Sequence, residues 1–491
     1  MTQTKAAIIV GAGIAGLAAS VRLAHKGYEV IVFDANKYPG GKLTAFDQEG
    51  YRFDAGPSLF TMPMYVDELF ELCGLNPRDH FNYIRKDESC RYFWNDGTRL
   101  TAWADQQKFA EEVESKLGVK ATVVLKKLRK SKRMYELAGR VFLEKPLNRW
   151  ATWLTRDAAM AMMNLHQLGL FSTMHSDNQA MLNNPKLVQL FDRYATYNGS
   201  DPYRAPGVLN IIPHLEHGIG TYLPVEGMHQ ITEAIYDLAS KMGVVFHLGE
   251  RVEEIQIESD IIKGVRTTVK NYKSDLVVSN MDVTPTYRKL LPKVNAPERI
   301  LGQELSSSAL IFYWGINRLY DDLGLHNIFF SDDYNKEFLE IFKGITPSGD
   351  PTVYVNITSR DVPVDAPQDC ENWFVMVNVP TYTNQDWKIQ IPKYRETIIN
   401  KLNTILKTDL QKHIVNESTL TPPEIELKTS SLGGSLYGTS SNSMYAAFLR
   451  HANESSRIRG LYFCGGSVHP GGGIPLCLLS AKIVSEICPN P

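Results

Sequence analysis

A glycine-rich turn near the start of the chain lies between two apolar runs. Residues 6–10 form the first run, Gly11-Ala12-Gly13-Ile14-Ala15-Gly16 follows at once, and a helical pattern leads to a second run that ends at Asp34. This order of strand, glycine turn, helix, strand and acid places Asp34 18 residues after Gly16. A glycine turn alone is weak evidence, but the full pattern predicts a dinucleotide-binding site.

Each part of this pattern has a physical role. Gly11 permits a tight turn, Gly13 lets the backbone approach a pyrophosphate, and Gly16 lets the helix pack close to the strand. The N-terminus of the helix offers free N–H groups and a positive dipole end to the phosphates. Asp34 is placed to accept hydrogen bonds from the ribose hydroxyls.

Three further segments contain the glycine and proline residues that are typical of turns. Pro39-Gly40-Gly41-Lys42-Leu43 follows the second strand, and Phe53-Asp54-Ala55-Gly56-Pro57-Ser58 comes shortly after it. Near the C-terminus a predicted strand (461–464) precedes a glycine-dense loop (465–475) and an apolar helix (about 476–487). Each loop alone could be an ordinary turn. A glycine-dense loop that enters a helix also presents N–H groups to an anion or to a polar ring edge.

Taken in this order, the loops resemble those of the flavoprotein superfamily that contains amine oxidases, carotenoid desaturases and Rab escort proteins. The whole chain is similar to the bacterial-type phytoene desaturases and their relatives. Two departures are Lys42, where Arg is frequent, and Gly465-Gly466-Ser467-Val468, where Gly-Ala-Gly-Thr is common. The matching blocks are Ala55-Gly56-Pro57-Ser58, Arg193-Tyr194-Ala195-Thr196-Tyr197, residues 199–206, Glu226-Gly227-Met228, Val277-Val278-Ser279-Asn280, residues 434–438, His469-Pro470-Gly471 and Ser480-Ala481-Lys482.

The resemblance implies an α/β fold with non-covalently bound FAD and no metal. We expect a Rossmann-like FAD-binding domain of the glutathione-reductase type, similar to that of amine oxidases, a mixed-sheet substrate domain and a helical membrane-associating region. His469 is a candidate catalytic residue because its loop would lie near the flavin. The predicted cofactor-binding residues are Gly11, Gly13, Ile14, Ala15, Gly16, Asp34, Ala35, Gly40, Gly41, Lys42, Gly56, Pro57, Ser58, Val252, Gly465, Gly466, Gly473 and Ile474.

The function that the resemblance implies is FAD-dependent desaturation of a carotenoid by hydride transfer to the flavin. The subgroup it favours acts on the 3,4 bond of a 1-hydroxylated carotenoid, and the electron acceptor would be a quinone or dioxygen. The alternatives are a phytoene desaturase, a flavin amine oxidase, a carotenoid isomerase and, outside enzymes, an isoprenoid carrier. No nucleic-acid partner is expected, because the net charge is only −2.

The predicted domains are assembled from separate parts of the chain. Residues 1–66, 220–284 and 455–491 are predicted to form the FAD-binding domain. Residues 67–110, 176–219 and 285–454 are predicted to form the substrate domain, in which 309–314 and 373–377 have the pattern of strands. Residues 111–175 are predicted to form the helical region.

The helical region combines basic and apolar segments. Residues 116–133 carry eight Lys or Arg and no acid. Six side chains fall on one apolar helical face: Ala121, Val124, Leu125, Leu128, Tyr135 and Ala138. The basic side chains placed off that face are Lys126, Lys127, Lys130 and Arg133. A following stretch is aromatic and Met-rich, with Trp150, Trp153, Leu154, Met160, Met163, Leu168 and Phe171. This combination predicts a surface that binds a bilayer interface, and the alternative is an ordinary solvated helix.

Composition sets broad limits on the kind of protein. The chain has 491 residues, 43% hydrophobic and 22% charged, which is typical of globular domains and long enough for two or three of them. Its six cysteines include no C-x-x-C pair, which argues against a disulfide framework or zinc site. No signal peptide or run of about 18 apolar residues is evident. We therefore predict a cytoplasmic protein, peripherally associated with the inner face of the cell membrane.

Overall fold

The computed structural model describes residues 5–344, 348–443, 446 and 449–491. The parts of the predicted domains at 1–4, 345–347, 444–445 and 447–448 lie outside the described residues. The described chain forms an α/β fold with a parallel sheet, a larger mixed sheet and several helical layers.

The strands are β1 (Ala6–Val10), β2 (Glu29–Asp34), β3 (Ala45–Gln48), β4 (Tyr51–Asp54), β5 (Tyr83–Arg85), β6 (Glu88–Phe93), β7 (Arg99–Trp103), β8 (Tyr222–Pro224), β9 (Val245–Leu248), β10 (Val252–Glu258), β11 (Ile261–Thr267), β12 (Asn271–Lys273), β13 (Leu276–Ser279), β14 (Ser308–Ile316), β15 (His326–Phe329), β16 (Val353–Ile357), β17 (Glu371–Val379), β18 (Ile414–Leu420) and β19 (Leu461–Phe463).

The α-helices are α1 (Ile14–His25), α2 (Met64–Leu72), α3 (Gln106–Leu117), α4 (Ala121–Phe142), α5 (Trp150–Trp153), α6 (Arg156–Met163), α7 (Met174–Leu182), α8 (Pro185–Asp192), α9 (Ile212–His214), α10 (Gln230–Lys241), α11 (Val283–Pro285), α12 (Glu298–Leu301), α13 (Tyr334–Lys343), α14 (Trp387–Leu406), α15 (Pro422–Thr429) and α16 (Ile474–Ile487).

The five-stranded parallel sheet has the order β19-β13-β1-β2-β9. Side chains alternate between the faces of a strand, and β1 shows this directly. Ile9 packs in the core formed with α1, α10 and α16, whereas Ile8 and Val10 pack against the small β10-β11-β12 sheet. Because both faces are covered, β1 is an uninterrupted apolar run. The predicted sequence of strand, helix and strand at the N-terminus is confirmed by β1, α1 and β2.

The second sheet has seven strands in the order β18-β14-β17-β16-β15-β6-β7. β14 and β17 pair antiparallel along nine residues each, which confirms the strands predicted at 309–314 and 373–377. β15 pairs with β6 in parallel, so the sheet is mixed. One face, with Phe312 and Trp314, packs against α14. The opposite face, with Ile311, Tyr313 and Phe374, turns toward the β3–β4 hairpin.

A helical layer packs against one end of the mixed sheet. Helices α3, α4, α7 and α8 share a buried core with strands β6 and β7 of the mixed sheet. Helix α4 therefore packs along its apolar face against the rest of the molecule. In the described part of the chain, no helix combines the length and apolarity needed to cross a bilayer.

Candidate functional site

A cavity of about 960 Å³ lies between the parallel sheet and the mixed sheet. We call the part lined by the glycine turns the cofactor half, and the part lined by the mixed sheet and its helices the substrate half. Every predicted cofactor-binding residue except Gly16 lines this cavity. They are Gly11, Gly13, Ile14, Ala15, Asp34, Ala35, Gly40, Gly41, Lys42, Gly56, Pro57, Ser58, Val252, Gly465, Gly466, Gly473 and Ile474.

The N-terminus of α1 opens into the cofactor half. Gly13 precedes the helix without any side-chain hydrogen bond to cap it. The first N–H groups of a helix have no acceptor within the helix, so here they remain available to a ligand. Gly11 turns the chain at φ +102°, a conformation that disfavours any residue with a side chain. The arrangement fits the phosphates of a dinucleotide.

The Asp34 carboxylate stands at the end of β2 and also lines the cofactor half. One oxygen accepts the N–H of Ala12 at 2.7 Å, and the other accepts the N–H of Asn36 at 2.7 Å. Burial raises the pKa of Asp34, and the two backbone donors partly offset this rise. Each oxygen retains a lone pair with which it can accept a ribose hydroxyl.

The Gly40-Gly41 turn packs directly on the first glycine turn. The N–H of Gly40 donates to the carbonyl of Ala12 at 2.8 Å. Gly40 and Gly41 have φ of +106° and +60°, and a Cβ on Gly41 would lie 3.3 Å from the Cα of Gly13. A side chain would push the two turns apart, so glycine is required for this close approach.

Gly16 serves packing, since it does not line the cavity. A Cβ on Gly16 would lie 2.1 Å from the carbonyl oxygen of Gly11 and 3.0 Å from Oδ1 of Asn280. A Cβ on Gly13 would also meet Asn280 Oδ1, at 2.7 Å. Asn280 thus fills the space that these glycines leave, and its amide nitrogen donates to the carbonyl of Cys464 at 3.2 Å.

Asn280 was not predicted to have a role in the site, although it lies within a block that matches the family. It also lines the cavity, next to the N-terminal and C-terminal glycine turns. Its position as a polar residue directly after the buried strand β13 is the signal that could have identified it.

Lys42 links the cofactor half to the loop around residues 435–436. Its ammonium group donates to the carbonyls of Ser435 at 2.9 Å and Leu436 at 2.8 Å. Burial lowers the pKa of Lys42 to about 8, although the nearby Asp282 carboxylate opposes this shift. These bonds fix the loop around 435–436 against the cofactor half, so the structure gives Lys42 a positioning role.

The segment Gly56-Pro57-Ser58 contacts Lys42 on one side and strand β16 of the mixed sheet on the other. A Cβ on Gly56 would lie 1.8 Å from the carbonyl oxygen of Lys42, so only glycine fits there. The hydroxyls of Ser58 and Tyr354 are 2.7 Å apart. Val252, at the start of β10, lines the cofactor half from the side of the small sheet.

The C-terminal glycine loop brings a second helix N-terminus to the cavity. Gly465 follows β19 with φ +113°, and Gly473 precedes α16 with φ +105°. Gly473 has no side-chain cap, and a Cβ placed on it would meet no atom within 4 Å. Pro475 has no N–H, but the N–H groups of Ile474 and Leu476 at the start of α16 can meet a polar ring edge in the cofactor half.

His469, which was predicted as a candidate catalytic residue, is not among the described residues that line this cavity. It is buried, and Nε2 lies 2.9 Å from the carbonyl oxygen of Lys145. Burial lowers its pKa to about 4, so the ring is neutral at physiological pH. The hydrogen bond ties the C-terminal loop to the segment after α4.

The substrate half is mostly apolar. Its apolar side chains come from strands β14, β15 and β17 and from helix α13. They are Ile311, Ile328, Phe338, Phe374 and Met376. A cavity with such walls suits a long hydrocarbon, because burying apolar surface yields roughly 25 cal/mol per Å².

A buried ion pair lines the same half. The guanidinium of Arg193 lies 3.3 Å from the carboxylate of Glu216, which also accepts hydrogen bonds from Tyr194 at 3.0 Å and Tyr197 at 2.5 Å. Burial opposes ionisation of Glu216, but Arg193 and the tyrosine hydroxyls outweigh it, so its pKa lies below the ordinary value. Arg193 and Tyr197 lie in a block that matches the family, but Glu216 and the pairing were not predicted.

Helix α4 corrects one part of the predicted basic surface. Lys127 is only 1% exposed, and its ammonium group donates to Oδ1 of Asn178 and, at 2.6 Å, to Oδ1 of Asn210. Burial lowers the pKa of Lys127 to about 7. The helical phase places this residue on the inward face. Among the side chains of α4 that the structure describes, the exposed basic ones are Lys126, Arg129, Lys132 and Arg133, which we call the basic stripe.

The segment after α4 exposes large apolar side chains. Trp150 and Leu154 are each 84% exposed, and Phe171 is 90% exposed. Met163 is also exposed, whereas Leu168, predicted for the same surface, is fully buried. Large apolar groups exposed together are typical of interaction surfaces.

Comparisons with known proteins agree with this geometry. The model of the family described as flavin-containing amine oxidoreductases matches residues 14–488. The chain is 49% identical to the 1-hydroxycarotenoid 3,4-desaturase of Flavobacterium sp. (strain P99-3), across 99% of both chains. It is 32% identical to the 4,4'-diapolycopene oxygenase of Methylomonas sp, across 98% of this chain and 97% of the relative.

Among solved structures, the fold is similar to that of a triple mutant of putrescine oxidase made in a redesign of cofactor binding. The TM-score is 0.64 at 13% identity, with 99% of this chain and 98% of that chain covered. This likeness concerns the fold alone.

Proposed function

The chain belongs to the family of flavin-containing amine oxidoreductases, and on this basis we propose that it desaturates the 3,4 bond of a 1-hydroxylated carotenoid with FAD as cofactor. The observation that carries the proposal is the continuity of one cavity, in which a dinucleotide-shaped half adjoins an apolar half. The relative that is 49% identical over its whole length bears the name of this activity.

The residues of the cofactor half fit FAD. The uncapped N-terminus of α1 would hold the pyrophosphate, Asp34 the ribose, and the strand at Val252 the adenine. The N-terminus of α16 and the turn at Gly40-Gly41 would flank the isoalloxazine ring. When bound, FAD would be the oxidant that accepts a hydride from an allylic carbon, while the neighbouring carbon releases a proton.

The substrate half positions the carotenoid and excludes water. The aliphatic and aromatic walls at Ile311, Phe374 and Met376 desolvate the polyene end and hold it against the cofactor half. C4 is allylic to the polyene, so loss of hydride there leaves a positive charge that spreads over the conjugated chain. A dry site protects this charge from attack by water.

The amine-oxidase alternative fits the substrate half less well. An ammonium substrate would need an unpaired acceptor, but Glu216 is already neutralised by Arg193 and bonded to two tyrosine hydroxyls. An amine would also lose its hydration in an apolar cavity at a large cost.

A position at the membrane follows from the lipophilic substrate. The basic stripe lies on the same helical region as the exposed Trp150, Leu154 and Phe171. Basic side chains are attracted to anionic lipids, and aromatic side chains favour the interface. This surface would seat the protein peripherally on the inner face of the cell membrane, where a quinone or dioxygen would accept the electrons.

The test is to supply the purified flavoprotein with a 1-hydroxylated carotenoid, with phytoene and with putrescine, and to analyse the products by chromatography. We expect the hydroxylated carotenoid to gain one double bond and its absorption to move to longer wavelength. Multi-step desaturation of phytoene with none of the hydroxylated carotenoid would contradict the substrate assignment. Oxidation of putrescine alone would contradict the reaction class.

A further inference from the structure

His326 lines the substrate half, and one of its ring nitrogens has no hydrogen-bond partner among the described residues. It is the first residue of β15, it is 3% exposed, and it lines the cavity. Its Nε2 is buried and has no hydrogen-bond partner among the residues that the structure describes. A buried polar atom without a partner is unusual in a folded protein, and it calls for a specific explanation.

The surroundings of His326 determine which ring nitrogen carries the proton. The amide nitrogen of Asn356 donates to the carbonyl of Leu325 at 2.9 Å and lies 3.2 Å from Nδ1. The hydroxyl of Tyr354 lies 2.7 Å from Nδ1 and 2.7 Å from the hydroxyl of Ser58. Nδ1 therefore accepts hydrogen bonds, and the proton of the neutral ring is on Nε2.

We propose that Nε2–H of His326 donates a hydrogen bond to the hydroxyl oxygen of the carotenoid and thereby selects the hydroxylated substrate. This assignment rests on the proposed function, which it deepens. A carotenoid without the hydroxyl would cover this donor with hydrocarbon and leave it unpaired. A site that is built to bond a substrate hydroxyl rejects the analogue that lacks it.

The position of His326 agrees with the chemistry of the substrate. The hydroxyl oxygen on C1 is three bonds from C3, so it lies within about 4 Å of that reacting carbon. Its partner must therefore stand close to the cofactor half. Through Tyr354, His326 is joined to Ser58, which lies in a loop of the cofactor half.

The charge of His326 also suits the reaction. Burial lowers the pKa of His326 to about 4, although the Glu216 carboxylate opposes this shift, so the ring is neutral at physiological pH. A neutral donor does not repel the positive charge that hydride loss leaves on the polyene. Arg193 Nε also lacks a partner and its residue lines the cavity, but its guanidinium carries a full charge.

Two substitutions at His326 separate its two nitrogens. In His326→Asn, the short amide can replace Nδ1 beside Tyr354 but cannot reach the position of Nε2. In His326→Gln, the longer amide restores a donor there. We expect His326→Asn to lower kcat/KM for the hydroxylated carotenoid on the order of 10- to 100-fold, with little change for the unhydroxylated analogue. We expect His326→Gln to retain most of the preference.

Ser418 provides the matched comparison, because its hydroxyl also lacks a partner and its residue lines the cavity. The ratio of kcat/KM for the two substrates should be unchanged in Ser418→Ala. An unchanged ratio in His326→Asn, or a collapse of the ratio in Ser418→Ala alone, would overturn the assignment of His326. Failure of the wild-type protein to convert either carotenoid would instead overturn the proposed function.

A binding measurement on the wild-type protein tests the same proposal without any substitution. The 1-methoxy carotenoid carries an oxygen that accepts a hydrogen bond but cannot donate one. Because Nε2–H is a donor, we expect the methoxy compound to bind more tightly than the unhydroxylated analogue in a carotenoid titration. Equal binding of these two compounds would contradict the proposal.

Discussion

The two halves of the cavity are lined by different kinds of chemical group. In the cofactor half, much of the lining comes from glycines and uncapped backbone N–H groups of a few contiguous turns, such as Gly11–Gly16 and Gly40-Gly41. In the substrate half they are side chains from separated segments, among them Arg193, Glu216 and His326. The first half therefore depends on close approach of the backbone, and the second on pairing of buried polar groups.

This difference predicts which property of the protein is lost when each half of the cavity is altered. A side chain added at a glycine turn should remove the cofactor, because the turns can no longer close around it. A lost partner in the substrate half should lower stability and selectivity while flavin remains bound, because one buried group is left unpaired.

The largest effect is expected for Gly16→Val. The new Cβ would lie 2.1 Å from the carbonyl oxygen of Gly11, a backbone atom that cannot move alone. We expect a loss of about 3 kcal/mol or more in stability and a loss of bound flavin. Flavin absorbance per protein and chemical denaturation measure both.

Two glycine variants calibrate this result. Gly13→Ala should be milder, because its Cβ would meet the amide oxygen of the Asn280 side chain, which can shift. Gly349→Ala should change nothing, since no atom lies within 4 Å of its Cβ. Full flavin occupancy in Gly16→Val would mean that close backbone packing does not control the cofactor half.

An effect confined to stability is expected for Glu216→Gln, which leaves the buried Arg193 guanidinium without its counter-charge. Breaking one partner of a buried pair costs on the order of 3 kcal/mol. Denaturation should show this loss while the flavin content stays near that of the wild type. In the double variant Arg193→Met with Glu216→Leu, much of the stability should return. Loss of flavin in Glu216→Gln would contradict the distinction between the two halves of the cavity.

The smallest effect on the fold is expected at the basic stripe, outside both halves. Exchange of Lys126, Arg129, Lys132 and Arg133 for Glu should weaken binding to anionic liposomes and slow turnover of lipid-dissolved carotenoid. Turnover in detergent should change less. If the variant sediments with liposomes as the wild type does, the membrane-binding prediction is contradicted and α4 is an ordinary solvated helix.

Lys127→Met is the control for the basic stripe, because Lys127 is buried between Asn178 and Asn210. It should lower stability by about 1–3 kcal/mol through the two unpaired amide oxygens, without altering liposome binding.

The same contrast explains what could be predicted from the sequence. The glycine turns, Asp34 and their strands are contiguous, so their spacing alone predicts the local geometry. The burial of Lys127 could not be predicted, because it depends on how α4 is rotated against α7. The hydrogen bond of His469 could not be predicted either, because its partner is the carbonyl of Lys145, more than 300 residues away. The pairing of Arg193 with Glu216 and the free nitrogen of His326 arise only when distant strands and helices meet.

The most direct test of the central claim is anaerobic reduction of the bound flavin by the carotenoid. Oxidised protein is mixed with the 1-hydroxylated carotenoid without oxygen, and flavin absorbance and product are measured together. We predict that the flavin bleaches in proportion to the product, with one flavin reduced for each double bond formed. An oxidised flavin that persists with the hydroxylated carotenoid, but bleaches with phytoene or putrescine, would contradict the account.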